Sequence, residues 1–300
     1  MTHRPSRGTA CVSLTIALAV LAIGRPAAVN RVAAQRSRVY VSVADNKGKP
    51  VAGLTAADFK IAIDDKEQEV LSVAPATDPL DVVIITDRLG LDPAYSNFTV
   101  HHALSGFVKT IRTVPDSRIA LTTFDGPVVR ITGFNTPATE LNKAIGRLAT
   151  TALESGLLNA VVDACELLRD SKTDRRVIFA MFAAYRADTS NQWNDKSMMT
   201  MWQSNASLWA LEVQSIGGAV GGNAGREEVV GLGSRMSGGM HVNVASAVGL
   251  SNQAQLMATL IAKQYVITYA PGSDPNTSSR RKIAVNRNGV KILFPTWVAR

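Results

Sequence analysis

Residues 81–87 read Asp81-Val82-Val83-Ile84-Ile85-Thr86-Asp87, four consecutive β-branched aliphatic residues closed by a carboxylate. A strand with one wet face would alternate apolar and polar residues. An unbroken apolar run instead predicts a strand covered on both faces, as in parallel sheets. Downstream, Leu104, Phe107, Val108 and Ile111 fall at the spacing of one buried helical stripe. Leu158, Val161, Val162, Cys165 and Leu168 trace a second, and Leu250, Met257, Leu260 and Ile261 a third. Strand patterns recur between them at Arg118–Phe124, Val128–Phe134, Arg176–Phe182 and Leu208–Gln214. This alternation predicts an α/β fold: a doubly wound, mostly parallel sheet with helices on both faces and right-handed crossovers. Ligands in such sheets sit beyond the carboxyl ends of the strands. The loops after Thr86, near Ser155 and after Phe182 are therefore where a functional site is expected.

Upstream of a Pro75–Pro79 linker, Val39, Val41 and Val43 alternate, the chain turns through Asn46-Lys47-Gly48-Lys49-Pro50, and Phe59, Ile61 and Ile63 alternate again. This predicts a small β-rich unit over 35–77, before a main α/β domain over 78–264. The tail, 265–300, reads as a β extension (Tyr265 to Pro271, Lys282 to Val285, Val290 to Leu293) packing on the N-terminal unit or the main sheet.

Residues 1–34 carry Arg4 and Arg7 ahead of an apolar stretch from Cys11 to Ile23, with small residues near Ala27-Ala28 and Ala33-Ala34. This is the pattern of a secretory signal peptide. The stretch falls short of the roughly 20 apolar residues that a membrane span needs, so no stable membrane insertion is expected. The expected location is periplasmic or secreted. The formal charge of +8 falls to +4 without the four arginines of residues 1–34. No Lys/Arg run of five or more and no stripe of interleaved aromatic and basic residues appears, which argues against nucleic acid as a partner. Cys11 lies in the leader, leaving Cys165 as a core thiol without a disulfide partner.

Three pieces together carry a family resemblance: Val43-Ala44-Asp45 leading to Gly48-Lys49-Pro50-Val51-Ala52-Gly53-Leu54 and Asp58-Phe59, the strand 81–87, and the closing Tyr265 to Pro271 with its following basic strand. With these the chain resembles the von Willebrand factor type A fold, and in particular bacterial exported proteins with a VWFA-related domain. The resemblance implies a divalent cation held by an Asp-x-Ser-x-Ser loop after the first sheet strand, a Thr in a later loop, and an Asp after the fourth strand. Here the first loop reads Asp87-Arg88-Leu89-Gly90-Leu91, Gly156 falls where the Thr would be, and Ala183 stands in the acid's place. Asp87 is the remnant ligand of a degenerate adhesion site. One carboxylate beside Arg88 does not supply the several oxygens a hard cation needs. No cofactor is expected, the weaker alternative being Mg or Ca in a rearranged site of Asp87, Asp92, Asp188 and Ser155. For Asp92 and Asp188, helix capping is the simpler expectation.

Other constellations point less sharply. His101-His102 are adjacent and lack the i, i+4 spacing of a helical zinc pair. No Gly-x-Ser-x-Gly elbow occurs, and no base accompanies Cys165. The Gly-rich loop at 217–225 lacks a Gly-Lys-Ser/Thr ending. Trp193, Met198, Met199, Met201 and Trp202 form either helix core or an adaptable sticky surface, core being expected. The functional expectation is a non-enzymatic, metal-independent adhesion or assembly module. It would bind a protein or peptide through a face containing Asp87, Arg88, Asp92, Ser155 and Asp188. The alternatives are cation-dependent binding or a structural cell-envelope role.

Overall fold

The structure, a computed structural model, describes residues 36–87, 97–149, 154–184, 188–214, 224–245, 247–271 and 279–298. Residues 35–300 form one compact unit. In chain order it runs through β1 (Ser37–Asp45), β2 (Phe59–Ile63), β3 (Lys66–Pro75), β4 (Leu80–Thr86), α1 (Asn97–Ile111), β5 (Arg118–Thr123), β6 (Val129–Thr132), α2 (Ala138–Gly146), α3 (Leu157–Arg169) and β7 (Arg175–Ala183). There follow α4 (Asn194–Ser204), β8 (Ala206–Val213), α5 (Ala224–Glu228), a π-helical turn (Val229–Gly233), α6 (Ser234–Met236), β9 (Met240–Val244), α7 (Ala247–Ala262), β10 (Tyr265–Ala270), β11 (Arg281–Val285) and β12 (Val290–Leu293).

The central sheet has the order β6-β5-β4-β7-β8-β9. Its pairings are parallel except at the edge, where β6 lies antiparallel to β5. Every residue of β4 is buried. The run Val82 to Ile85 divides by parity: Val82 and Ile84 join one core with α1 and α7, while Val83 and Ile85 join the other with α3. This is the period-2 consequence of a strand sandwiched between helices, and the doubly wound α/β expectation holds. Elements not read from the sequence include α2, α5, the π-helical turn, α6 and β9. Strand β9, Met240-His241-Val242-Asn243-Val244, carries a histidine and an asparagine at an edge and lacks a strong apolar run.

The second sheet has the order β11-β2-β3-β10-β1-β12, antiparallel throughout. Strands from before and after the central domain thus share one sheet. Val39, Val41 and Val43 meet Tyr265, Ile267 and Ile283 in its core. Ala44 and Leu293 reach into the α1/α7 core of the central sheet, and the Ser42 hydroxyl donates to the Leu260 carbonyl at 3.2 Å, fixing the two sheets together.

Candidate functional site

In the central sheet, chain order runs outward from β4 to β5 and β6, then returns to β7, β8 and β9 on the other side. The topological switch point lies between β4 and β7, where an open doubly wound sheet leaves a crevice. Here that crevice is bridged. Asp87, directly after β4, is fully buried, and its Oδ2 accepts the backbone N–H of Ala183 at the end of β7 at 3.0 Å. The Ala183 carbonyl in turn accepts from Arg226 Nη2 at 3.2 Å.

Arg226 is fully buried, lies over the Phe182 ring at 4.9 Å, and donates from the same nitrogen to Glu212 Oε1 at 3.0 Å. Glu212 Oε2 meets His241 Nε2 on β9 at 2.7 Å. A guanidinium so placed satisfies the strand-end carbonyl and gives the buried Glu212 carboxylate a counter-charge, which a buried charge requires. Burial works against the charged carboxylate of Glu212. Its contacts to His241 and then Arg226 more than offset that and hold it below the usual carboxylate range.

The neighbouring loops are zipped together. Ser155 and Asp188 form an isolated parallel bridge, and the Ser155 carbonyl accepts the Thr189 N–H at 2.8 Å. Gly156 donates its N–H to the Phe124 carbonyl at 2.8 Å and opens α3. A Cβ on Gly156 would stand 2.9 Å from the Gly126 carbonyl oxygen. The position expected to hold a threonine ligand therefore has no room for a side chain.

The candidate residues separate accordingly. Arg88 and Asp92 lie outside the described residues, as do Leu89, Leu91 and Arg186. Asp87 and Ser155 are wholly buried. The expectation that they present a contact face is corrected: they tie loops together and cannot touch a partner. Asp188 is half-buried and accepts the Ser190 N–H on Oδ1 at 2.8 Å, closing a local turn. The capping expectation for Asp188 is also corrected, since α4 begins at Asn194 with Trp193 in the cap position. Arg226, Glu212 and His241 were missed. The available signal was Glu212, a carboxylate inside the apolar strand Leu208-Trp209-Ala210-Leu211-Glu212-Val213, because such a residue needs a partner.

The residues present do not fit an ion at the family's position. Gly156 has no space for a ligand side chain, Ala183 turns its N–H toward Asp87, and Arg226 brings positive charge to the strand end. Three oxygens nearby are nevertheless buried without hydrogen-bond partners among the described residues: Ser155 Oγ, Asn159 Oδ1 and Asp188 Oδ2.

Around α4, Met201 is buried, as expected of core, but Trp193 is 79% and Met199 48% exposed. Met198, Met199, Trp202, Met236 and Trp297 line a recess of about 560 Å³, with Asp195 and Glu228 also in its wall. The buried indole Nε1 of Trp297 has no acceptor among the described residues. The π-helical turn lies behind it, Gly233 close against Met198 and Met201. Such turns often mark functional sites.

No family model matches the sequence, and no curated protein matches it. Solved structures do match in shape. The similarity is to von Willebrand factor A domains. Proximal thread matrix protein 1 from the mussel byssus, with a zinc-occupied MIDAS motif, aligns at 12% identity and TM-score 0.49, over 65% of this chain and 49% of its own. A von Willebrand factor type A protein from Catenulispora acidiphila aligns at 9% identity and TM-score 0.48, over 87% and 72%. The SpRpn10 VWA domain aligns at 13% identity and TM-score 0.44, over 60% and 97%. The chain spans about half the length of the mussel protein it matches. At such identities the likeness to type A domains concerns fold, and the chemistry of the site rests on the residues above.

Proposed function

We propose that this chain is an exported, non-enzymatic protein-binding module of the adhesion or assembly kind, working without a metal. It takes an apolar segment of a partner protein or peptide at the recess beside α4. The observation that carries this reading is the exposure of Trp193 and Met199 next to a Met- and Trp-lined recess. Large amphipathic aromatics anchor interfaces, and methionine adapts to varied apolar shapes. Selection from a displayed peptide library should enrich sequences with an apolar anchor, and Trp193→Ser with Met199→Ser should abolish their capture. Enrichment of nothing, or peptides retained by the double variant, would overturn it.

A second reading is favoured by the three unpartnered oxygens of Ser155, Asn159 and Asp188. Hard oxygen donors suit calcium or magnesium, so a displaced cation site there would make binding ion-dependent. Saturating ion would raise the melting temperature by several degrees, as about 2.7 kcal/mol follows at one hundred times the dissociation constant. An unchanged melting temperature in millimolar calcium, magnesium and manganese would reject this reading and leave the first intact.

A further inference from the structure

At the opposite end of the central sheet, a cleft of about 430 Å³ lies between the amino ends of β7 and β8 and the strands β1, β10 and β11. Five arginines line it, Arg36, Arg38, Arg175, Arg176 and Arg281, against one lining carboxylate, Asp174. A second carboxylate, Asp78, is engaged with Arg38 at 2.6 Å. Positive charge is therefore in excess.

The three inner guanidinium groups make no direct ion pair among the described residues, and the Asp78 carboxylate acts on Arg175 only through its field. Arg175, 2% exposed, donates to the Asp78 and Ile261 carbonyls at 2.8 and 2.9 Å and, at 3.4 Å, to Gln264 Oε1 and the Ala76 carbonyl. Arg176 donates to the carbonyls of Thr173, Ser204 and Ser171. Arg281, 6% exposed, donates to the Pro295 and Trp297 carbonyls and the Tyr269 hydroxyl, while its buried Nε has no acceptor among the described residues. Backbone carbonyls orient these groups without neutralising them. Burial accordingly pulls the Arg175 pKa below its ordinary value.

Buried cations left without direct counter-ions are costly, and a bound anion would offset that cost. Guanidinium forks match the spaced oxygens of tetrahedral oxyanions better than they match single-point acceptors. We propose that this cleft binds a compact polyvalent oxyanion, a phosphate or sulfate ester group. The exposed Arg36 is its direct contact, and Arg175, Arg176 and the cleft-lining Arg281 supply the field. The site is separate from the recess beside α4 and does not depend on a peptide binding there.

The test is calorimetric titration of the whole protein with sodium pyrophosphate, and separately with sodium sulfate, at constant ionic strength. One site is expected, with a melting temperature raised by a few degrees at saturation. Arg36→Gln lies at the rim and should leave the fold unchanged while weakening binding about tenfold, and Arg281→Gln should weaken it at least as much. Absence of heat and of any thermal shift at about 10 mM of either anion, roughly a hundredfold above a dissociation constant of about 0.1 mM, would overturn the proposal. So would affinity unaltered in the Arg36→Gln protein, or tighter binding of citrate than of pyrophosphate, which would assign the cleft to carboxylates instead.

Discussion

The Asp87 carboxylate accepts the backbone N–H of Ala183 at 3.0 Å, across the switch point between β4 and β7. The carbonyl of the same alanine accepts from Arg226. A residue that sequence reading treats as the remnant of an ion site is thereby a strand-to-strand tie, and the nearby positive charge belongs to a side chain.

Replacing Asp87 by alanine should orphan the buried Ala183 N–H and cost about 1–3 kcal/mol. Urea unfolding checks the size. The loss should be equal in EDTA and in millimolar calcium, and a loss that appears only with calcium present would contradict the metal-independent reading.

Arg226→Met should be worse, by about 3–5 kcal/mol, because it leaves the Glu212 carboxylate buried without its guanidinium. The double variant with Glu212→Leu should recover most of the loss, since apolar replacement of a whole buried pair is often near neutral. A double-mutant cycle by denaturant unfolding measures this coupling.

Gly156→Thr restores the residue type expected of the family, yet it should destabilise by about 1–3 kcal/mol and confer no ion affinity. Its Cβ would press on the Gly126 carbonyl oxygen. Thermal melts with and without magnesium give both answers.

Acid should weaken the fold through Glu212. Its pKa is lower folded than unfolded, so its contribution is fully present above the unfolded carboxylate value, near 4.3. It is lost as pH falls from there through the lower folded value. Melting temperature measured from pH 7 down to pH 3 should drop chiefly below about pH 4.3, and Glu212→Gln should flatten part of that drop.

Cys165 should resist thiol reagents in the native protein. It is fully buried in the α3 core, and burial pushes its pKa up to about 12. Ellman's reagent should react only on unfolding, so its rate reports global opening.

The sequence by itself determined the central sheet and which residue types stand at the loop positions after its strands, because both are local. Strand β4 shows its two covered faces in the unbroken run from Val82 to Ile85, α1 and α3 show theirs at helical spacing, and Gly156 and Ala183 can be read one position at a time. Only the tertiary structure decided what Asp87 and Ala183 meet. Arg226 meets Ala183 from 43 residues away and Glu212 from 14, and the inner arginines of the cleft converge from β7 and β11. Those meetings follow from how the strands are ordered and how two sheets pack. Hydrophobic periodicity records which face of an element is buried, not which distant polar group it meets there.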